Sequence, residues 1–256
     1  MKKIIISAAA VCSAALVANS AFSQTNGKSG KSTQKNKPVV VSVSKDTKAA
    51  TPLELAKTTL AAHGGDKFKN MKTLVVRGTA DVSGSPTMTF PATFATIYAG
   101  EKYRLEISTP FQPFKQTYDG QQTSSSLRDF ELPPLNRLGL PLLQHLGDKD
   151  FTISALSEKS KKNGFRITAP EGFYTDFFVD EKTGTVKSYE SSYKIRGRNI
   201  TTSVDIDKLR EVEGVKIPER YAQRFETGQL TIYADFKAKE ILVNSMVADD
   251  VFSISK

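Results

Sequence analysis

The chain has 256 residues, a formal charge of +9 and a single cysteine, Cys12. That cysteine falls within an N-terminal targeting segment, so the mature chain offers no disulfide, no thiolate nucleophile and no cysteine-held metal. The excess charge lies largely outside the folding part. Two lysines precede residue 24, and six stand between 24 and 50 against one acid, leaving 28 basic and 26 acidic residues in 51–256. A polyanion-binding domain needs a basic face on the fold itself, so nucleic acid is not an expected partner.

Residues 1–23 carry Lys2 and Lys3, an apolar stretch from residue 4 to residue 18, and small residues at Ala21 and Ser23. This is the syntax of a cleaved secretory signal peptide. Its apolar core is shorter than the roughly 20 residues that a spanning helix needs, and no later segment is continuously apolar over that length, so the mature chain is not expected to span a membrane. Val11 before Cys12 fits a lipid-attachment site poorly. Residues 24–50 are rich in Gly, Ser, Thr, Asn, Gln and Lys and read as a flexible basic linker, a solvated spacer or a tether for anionic headgroups. The run Gly27, Lys28, Ser29, Gly30, Lys31, Ser32 lacks the preceding strand and first glycine of a phosphate-binding loop.

A single domain is expected over 51–256. Thr51 can cap a helix with Pro52 at its first position, Leu53, Ala56 and Leu60 follow helical spacing, and Gly64 and Gly65 end it. From Thr73 the period becomes two. Met88, Phe90, Ala92, Phe94, Thr96 and Tyr98 alternate with more polar neighbours, as do Tyr103, Leu105 and Ile107. Residues 132–146 break the pattern: Pro133, Pro134 and Pro141 interrupt an apolar stretch whose second half, with Leu142, Leu143 and Leu146, can make one or two helical turns.

Alternation resumes in Phe151, Ile153 and Ala155, in Phe165 and Ile167, and in Leu230, Ile232, Ala234 and Phe236. Turn signals at Gly100, Asp119-Gly120, Asn163-Gly164 and Thr183-Gly184 separate the runs. Ten or eleven one-faced strands with so few helical turns to cover them predict a mainly β fold. The expected form is a strongly curved antiparallel sheet, an incomplete β-barrel lidded by short helices. An apolar cavity inside it is one outcome; a core filled by the sheet's own aromatics is the other.

Catalytic constellations are sparse. His63 precedes Gly64 at a helix end, where capping or dipole interaction is the ordinary role. His145 lies in the proline-broken segment and would need an acid and a nucleophile beside it. Neither histidine has the spacing of a zinc site, Ser124 to Ser126 lack a nucleophile-elbow motif, and the acid pairs Asp205 and Asp207, and Asp249 and Asp250, read as solvated strand-edge acids.

Four segments resemble a known family. Residues 55–74, LAKTTLAAHGGDKFKNMKTL, look like a helix ending at Gly-Gly before a first strand, and residues 178–186, FVDEKTGTV, like a strand, an Asp-x-x-Thr-Gly turn and the next strand. Residues 212–217, VEGVKI, and 241–252, ILVNSMVADDVF, are similar to a late Gly-Val-Lys strand and a closing Asn-x-x-x-x-Asp-Asp-x-Phe segment. Together they resemble the periplasmic lipoprotein-carrier superfamily of the outer-membrane lipoprotein-sorting, LolA/LolB-like type.

The resemblance implies a periplasmic, non-enzymatic, cofactor-free and metal-free carrier, a monomer holding a lipid or acylated lipoprotein as cargo and served by an envelope membrane partner. The chain departs from the best-known carriers in its long linker and its lack of tryptophan. The residues expected to line the concave face are Phe90, Phe94, Tyr98, Leu105, Ile107, Ile232 and Phe236, with Leu142 and Leu143 in a movable lid. The alternatives are a filled scaffold or adaptor docking through its edge or lysine tail, and a hydrolase using His145 with a nearby acid.

Overall fold

A computed structural model describes residues 50–254 apart from 86, 87, 127–131, 133, 158, 159, 161, 196 and 227–230. The expected signal peptide with Cys12, the expected linker up to residue 49, Pro133 and Leu230 lie outside the described residues. Among those described, helix α1 spans Pro52–Ala62 and the short α2 spans Asp66–Lys69. Thr51 caps α1 as expected: Glu54 N–H donates to its hydroxyl at 3.2 Å, while Thr51 N–H donates to the Glu54 carboxylate at 2.7 Å.

The strands are β1 Thr73–Ser85, β2 Met88–Ala99, β3 Lys102–Ser108, β4 Phe114–Tyr118, β5 Thr123–Ser125, β6 Thr152–Ala155, β7 Gly164–Thr168 and β8 Tyr174–Val179. The later four are β9 Val186–Ile195, β10 Arg198–Val212, β11 Val215–Glu226 and β12 Thr231–Val243. They form one 12-stranded sheet in the order β5-β4-β3-β2-β1-β12-β11-β10-β9-β8-β7-β6, antiparallel at each neighbouring pair and not closed into a barrel. The incomplete β-barrel expected from the sequence is the fold observed.

Side-chain alternation fixes one inner face across the sheet. The register places Ala80 beside Ala92 and Phe236, Phe94 beside Ile107, Phe236 beside Tyr221, and Phe165 beside Phe177. These inner residues, together with Phe68, Leu140, Leu142, Leu143 and Leu146, belong to the main apolar cluster.

The two edge strands, β5 and β6, are joined through residues 126–151. This connection holds the 3-10 turns Leu135–Arg137 and Leu140–His145, the second matching the helical turns expected there. It is tied to α2 by polar bonds: Gln144 Nε2 donates to the Phe68 and Met71 carbonyls at 3.1 and 3.0 Å, and Lys69 Nζ donates to the Leu146 carbonyl at 2.7 Å.

Three of the family-like segments meet at the end of α1. A Cβ on Gly64, whose φ is +124°, would lie 2.5 Å from the Gly214 carbonyl oxygen, so only glycine permits the helix end to touch the β10–β11 turn. Between these segments lies His63, fully buried. Val186 N–H donates to its Nε2 at 3.0 Å, which leaves the hydrogen on Nδ1 to be donated to the Lys216 carbonyl at 3.0 Å. The Lys216 N–H returns a bond to the His63 carbonyl at 3.0 Å. Burial, aided by the Lys216 charge and opposed by the Lys216 carbonyl, holds the imidazole pKa below its ordinary value. His63 is thus a neutral buried cross-link from helix to sheet, and the dipole role expected of a charged imidazole gives way to this.

The fourth segment places Ile241 and Val243 in the main cluster and turns its end, from Asn244 to Phe252, onto the outer face. Lys72 N–H donates to the Asn244 side chain at 2.8 Å, and buried Phe252 sits with Val75 and Ile97.

Candidate functional site

Between the inner face of the sheet and the 126–151 connection lies a cavity of about 800 Å³. This falls in the roughly 300–1,000 Å³ range of ligand-holding cavities. Its walls come from β1–β3 and β9–β12, its floor includes Phe68 and Met71 beside α2, and its cover is formed by Leu132, Leu135, Asn136, Leu138, Gly139, Leu140, Pro141 and Gln144. Lys72 is the one charged residue among the lining residues described.

Five of the nine residues singled out from the sequence lie on this wall: Tyr98, Leu105, Ile107, Ile232 and Phe236. Phe236 is held by Tyr221 stacked on one side at 4.8 Å and by Phe94 edge-on at 5.0 Å. Phe94 itself is buried behind the lining. Leu142 and Leu143 are fully buried in the main cluster, so the cover meets the cavity through their neighbours Leu140, Pro141 and Gln144 and not through them. Phe90, opposite Val82 in the register, packs edge-on against Phe111 at 4.8 Å, and Phe111 is 73% exposed.

The tyrosines of the wall were only partly legible. Besides Tyr98, the cavity is lined by Tyr189, Tyr193 and Tyr221. Withdrawal from water pushes all four phenols well above their ordinary pKa, with mutual repulsion adding to it at Tyr98 and Tyr221, so they stay neutral hydrogen-bond donors. Tyr189, Ser191 and Tyr193 alternate on one face of β9, as do Ile200, Thr202 and Val204 on β10. This period-two signal could have placed both strands, but polar residues on the inward positions hide it from a search for apolar alternation.

The cover is held close to the wall at Gly139. Its φ is +63°, and a Cβ there would stand 2.8 Å from the Tyr189 ring. Its N–H donates to Thr175 Oγ1 at 3.0 Å, and that hydroxyl shares a 2.7 Å bond with Ser191.

His145 does find an acid: its Nδ1 lies 2.9 Å from Asp148 Oδ2, and its ring stacks on Phe151 at 4.3 Å. The pair stands apart from the cavity lining, and no hydroxyl bonds its other nitrogen among the described residues. No cluster of three or more His, Cys, Asp or Glu that could hold a metal stands among those residues, and no helix there is long and apolar enough to cross a membrane.

The fold and the cavity define an open antiparallel half-barrel covered by helical turns over an apolar interior. No family model matches the chain, and no curated protein matches it. Among solved structures it is similar to a LolA-superfamily protein from Nitrosomonas europaea, at 11% identity and a TM-score of 0.50 over 80% of this chain and 99% of that one. A DUF1329 family protein from Desulfovibrio piger matches at 9% identity and TM-score 0.49, over 80% and 98%. A domain described as an outer membrane lipoprotein-sorting protein domain, from Vibrio parahaemolyticus, matches at 9% and 0.45, over 78% and 95%. The chain therefore has the LolA-like open β-barrel fold, in agreement with the resemblance of its four segments.

Proposed function

We propose that this chain is a periplasmic binding or carrier protein that holds a lipid, an acyl chain or an acylated lipoprotein in its cavity, in passage toward the outer membrane. The observation that carries the reading is the 800 Å³ space lined by apolar and aromatic side chains. A filled scaffold has no use for such a space, because unfilled apolar volume costs about 24 cal/mol per Å³. The fold shared with a LolA-superfamily protein supports the same reading.

The energetics suit an acyl ligand. Each methylene moved from water gains about 0.8 kcal/mol, so a chain of about 12 carbons gains roughly 10 kcal/mol. Association costs about 4–15 kcal/mol in lost freedom. Retention therefore grows with chain length. The binding needs no cofactor and no reaction, only shape and apolar area, and the chain works as a monomer delivered by its signal peptide, with residues 24–50 as a spacer and an envelope membrane protein as donor or acceptor.

Native mass spectrometry of the mature protein, released gently from the periplasm, tests this reading. A stoichiometric adduct that solvent extraction yields as a lipid or acylated peptide is the expected result. A clean unliganded mass, together with no uptake of a fluorescent fatty acid, would overturn it.

A further inference from the structure

The inner face is apolar along most strands, but a polar row crosses it from β8 to β11. Thr175 on β8 stands opposite Ser191 on β9, and Ser191 stands opposite Thr202 on β10. Gln223 on β11 joins the row by donating from Nε2 to Thr202 Oγ1 at 2.9 Å. Ser191, Thr202 and Gln223 all line the cavity.

Tyr193 lies two residues beyond Ser191 on the same face of β9, about 7 Å along the strand. Only 5% of it is exposed, it lines the cavity, and its buried hydroxyl has no hydrogen-bond partner among the described residues. Leu138, Ile200 and Phe225 pack about its ring, and Phe173 meets it edge-on at 6.2 Å. An orphaned buried hydroxyl on a cavity wall is an uncommon arrangement, because desolvating it gains nothing unless something in the cavity accepts from it.

Ser191 offers a second donor. Thr175 Oγ1 accepts from Gly139 N–H and can donate its own hydrogen to Ser191 across their 2.7 Å bond, an arrangement that leaves two hydroxyl hydrogens with one between the pair and one on Ser191. The one on Ser191 remains for a ligand.

We propose that Tyr193, with Ser191 beside it, is the subsite for an uncharged acceptor on the ligand: the carbonyl oxygen of an ester or amide joined to its acyl chain. This rests on the carrier reading above and adds the chemical class of the cargo's polar end. Both groups offer hydrogens, so the ligand supplies a lone pair. The acceptor is neutral because, among the described residues, no cation faces the site. Lys72, the charged residue of the lining, precedes β1, whereas the transverse row through Tyr193 and Ile200 runs toward the β11–β12 hairpin and the far end of β1. A bare carboxylate would be buried there without a counter-charge.

The test uses the mature chain and two probes. Diphenylhexatriene is a pure hydrocarbon fluorophore and reports the apolar cavity alone; monolauroylglycerol, which carries an ester, competes with it. The wild type binds the fluorophore and releases it to monolauroylglycerol at lower concentration than to dodecanoate at pH 8. Judged against each protein's own affinity for the fluorophore, Tyr193→Phe melts no lower but requires about tenfold more monolauroylglycerol, the effect of one net hydrogen bond. Ser191→Ala shifts the same competition in the same direction.

Equal competition curves for wild type and Tyr193→Phe would overturn the subsite while leaving the carrier reading intact, as would a preference for dodecanoate. A wild type that binds neither the fluorophore nor the ester would overturn both.

Discussion

Replacing His63 by leucine should remove the buried cross-link between the end of α1 and the sheet. The imidazole is fully buried and makes two bonds, from Val186 N–H and to the Lys216 carbonyl, each at 3.0 Å. Leucine fills a similar space but leaves a buried N–H without an acceptor and a carbonyl without its donor. Each such orphan costs about 1–3 kcal/mol, which places the loss near 3–4 kcal/mol. Much of a typical domain's stability of about 5–15 kcal/mol would go with it.

The same residue sets a pH dependence of known sign. The folded protein holds the imidazole below its ordinary pKa of about 6.5, so on acidification the unfolded chain takes the proton first. The contribution of His63 is therefore full above pH 6.5 and is lost as pH falls from there through the folded value. Urea denaturation of wild type and His63→Leu at pH 8 and pH 5 measures both effects. The gap between the two proteins should be near 3–4 kcal/mol at pH 8 and narrower at pH 5. A gap under about 1 kcal/mol at pH 8, or one that does not narrow, would refute the neutral cross-link.

Gly139→Ala must either push the cover away from Tyr189 or strain the left-handed backbone, so it should lose about 1–3 kcal/mol in chemical denaturation and alter fluorophore exchange from the cavity. Glu219, bonded by Arg210 and Lys208 at 2.9 and 3.0 Å, has its pKa pushed down to about 2, chiefly by these hydrogen bonds. Its stabilising contribution is present above pH 4.5 and lost as pH falls through about 2, so acid-denaturation curves of Glu219→Gln should show a shallower decline than wild type over that interval. His145→Ala should leave fluorophore binding unchanged, since the His145–Asp148 pair is outside the lining; a loss of binding would contradict that placement.

The sequence made the sheet legible because one-faced strands impose a period of two that survives any local context, and the cap at Thr51 followed by Pro52 is a short-range signal that likewise needs no tertiary context. The cavity was harder. Phe94 and Phe236 share one alternation pattern and one ring contact, yet only Phe236 faces the open space; which of two touching aromatics borders a void depends on packing from β11 through Tyr221. Leu142 and Leu143 likewise carry the right hydrophobicity, but the Gln144 bonds to α2 and the proline-fixed turn decide that Leu140 and Pro141 meet the cavity. The polar row at Ser191 and Thr202 was invisible because it occupies inward positions with residues that pattern reading assigns to solvent. The family-like segments around Gly64, Thr183 and Gly214 mark the joint between helix and sheet, which explains why they reported the fold and not the cargo.

A binding site under the cover and a packing defect there are told apart at Ala234, which gives direct access to the space. Its methyl group lies on the cavity wall at β12, beside Val82 and Gln223 in the register. Ala234→Phe fills part of the space with a ring that needs no polar partner. The measurement is a stoichiometric titration of the mature protein with a fluorescent long-chain fatty acid, run beside thermal denaturation of the same samples. One site per wild-type chain is the result expected of a binding site, with at least tenfold weaker binding by Ala234→Phe and an unchanged or raised Tm. Undiminished binding by a folded Ala234→Phe protein, or a wild type that takes up no acyl probe, would contradict it.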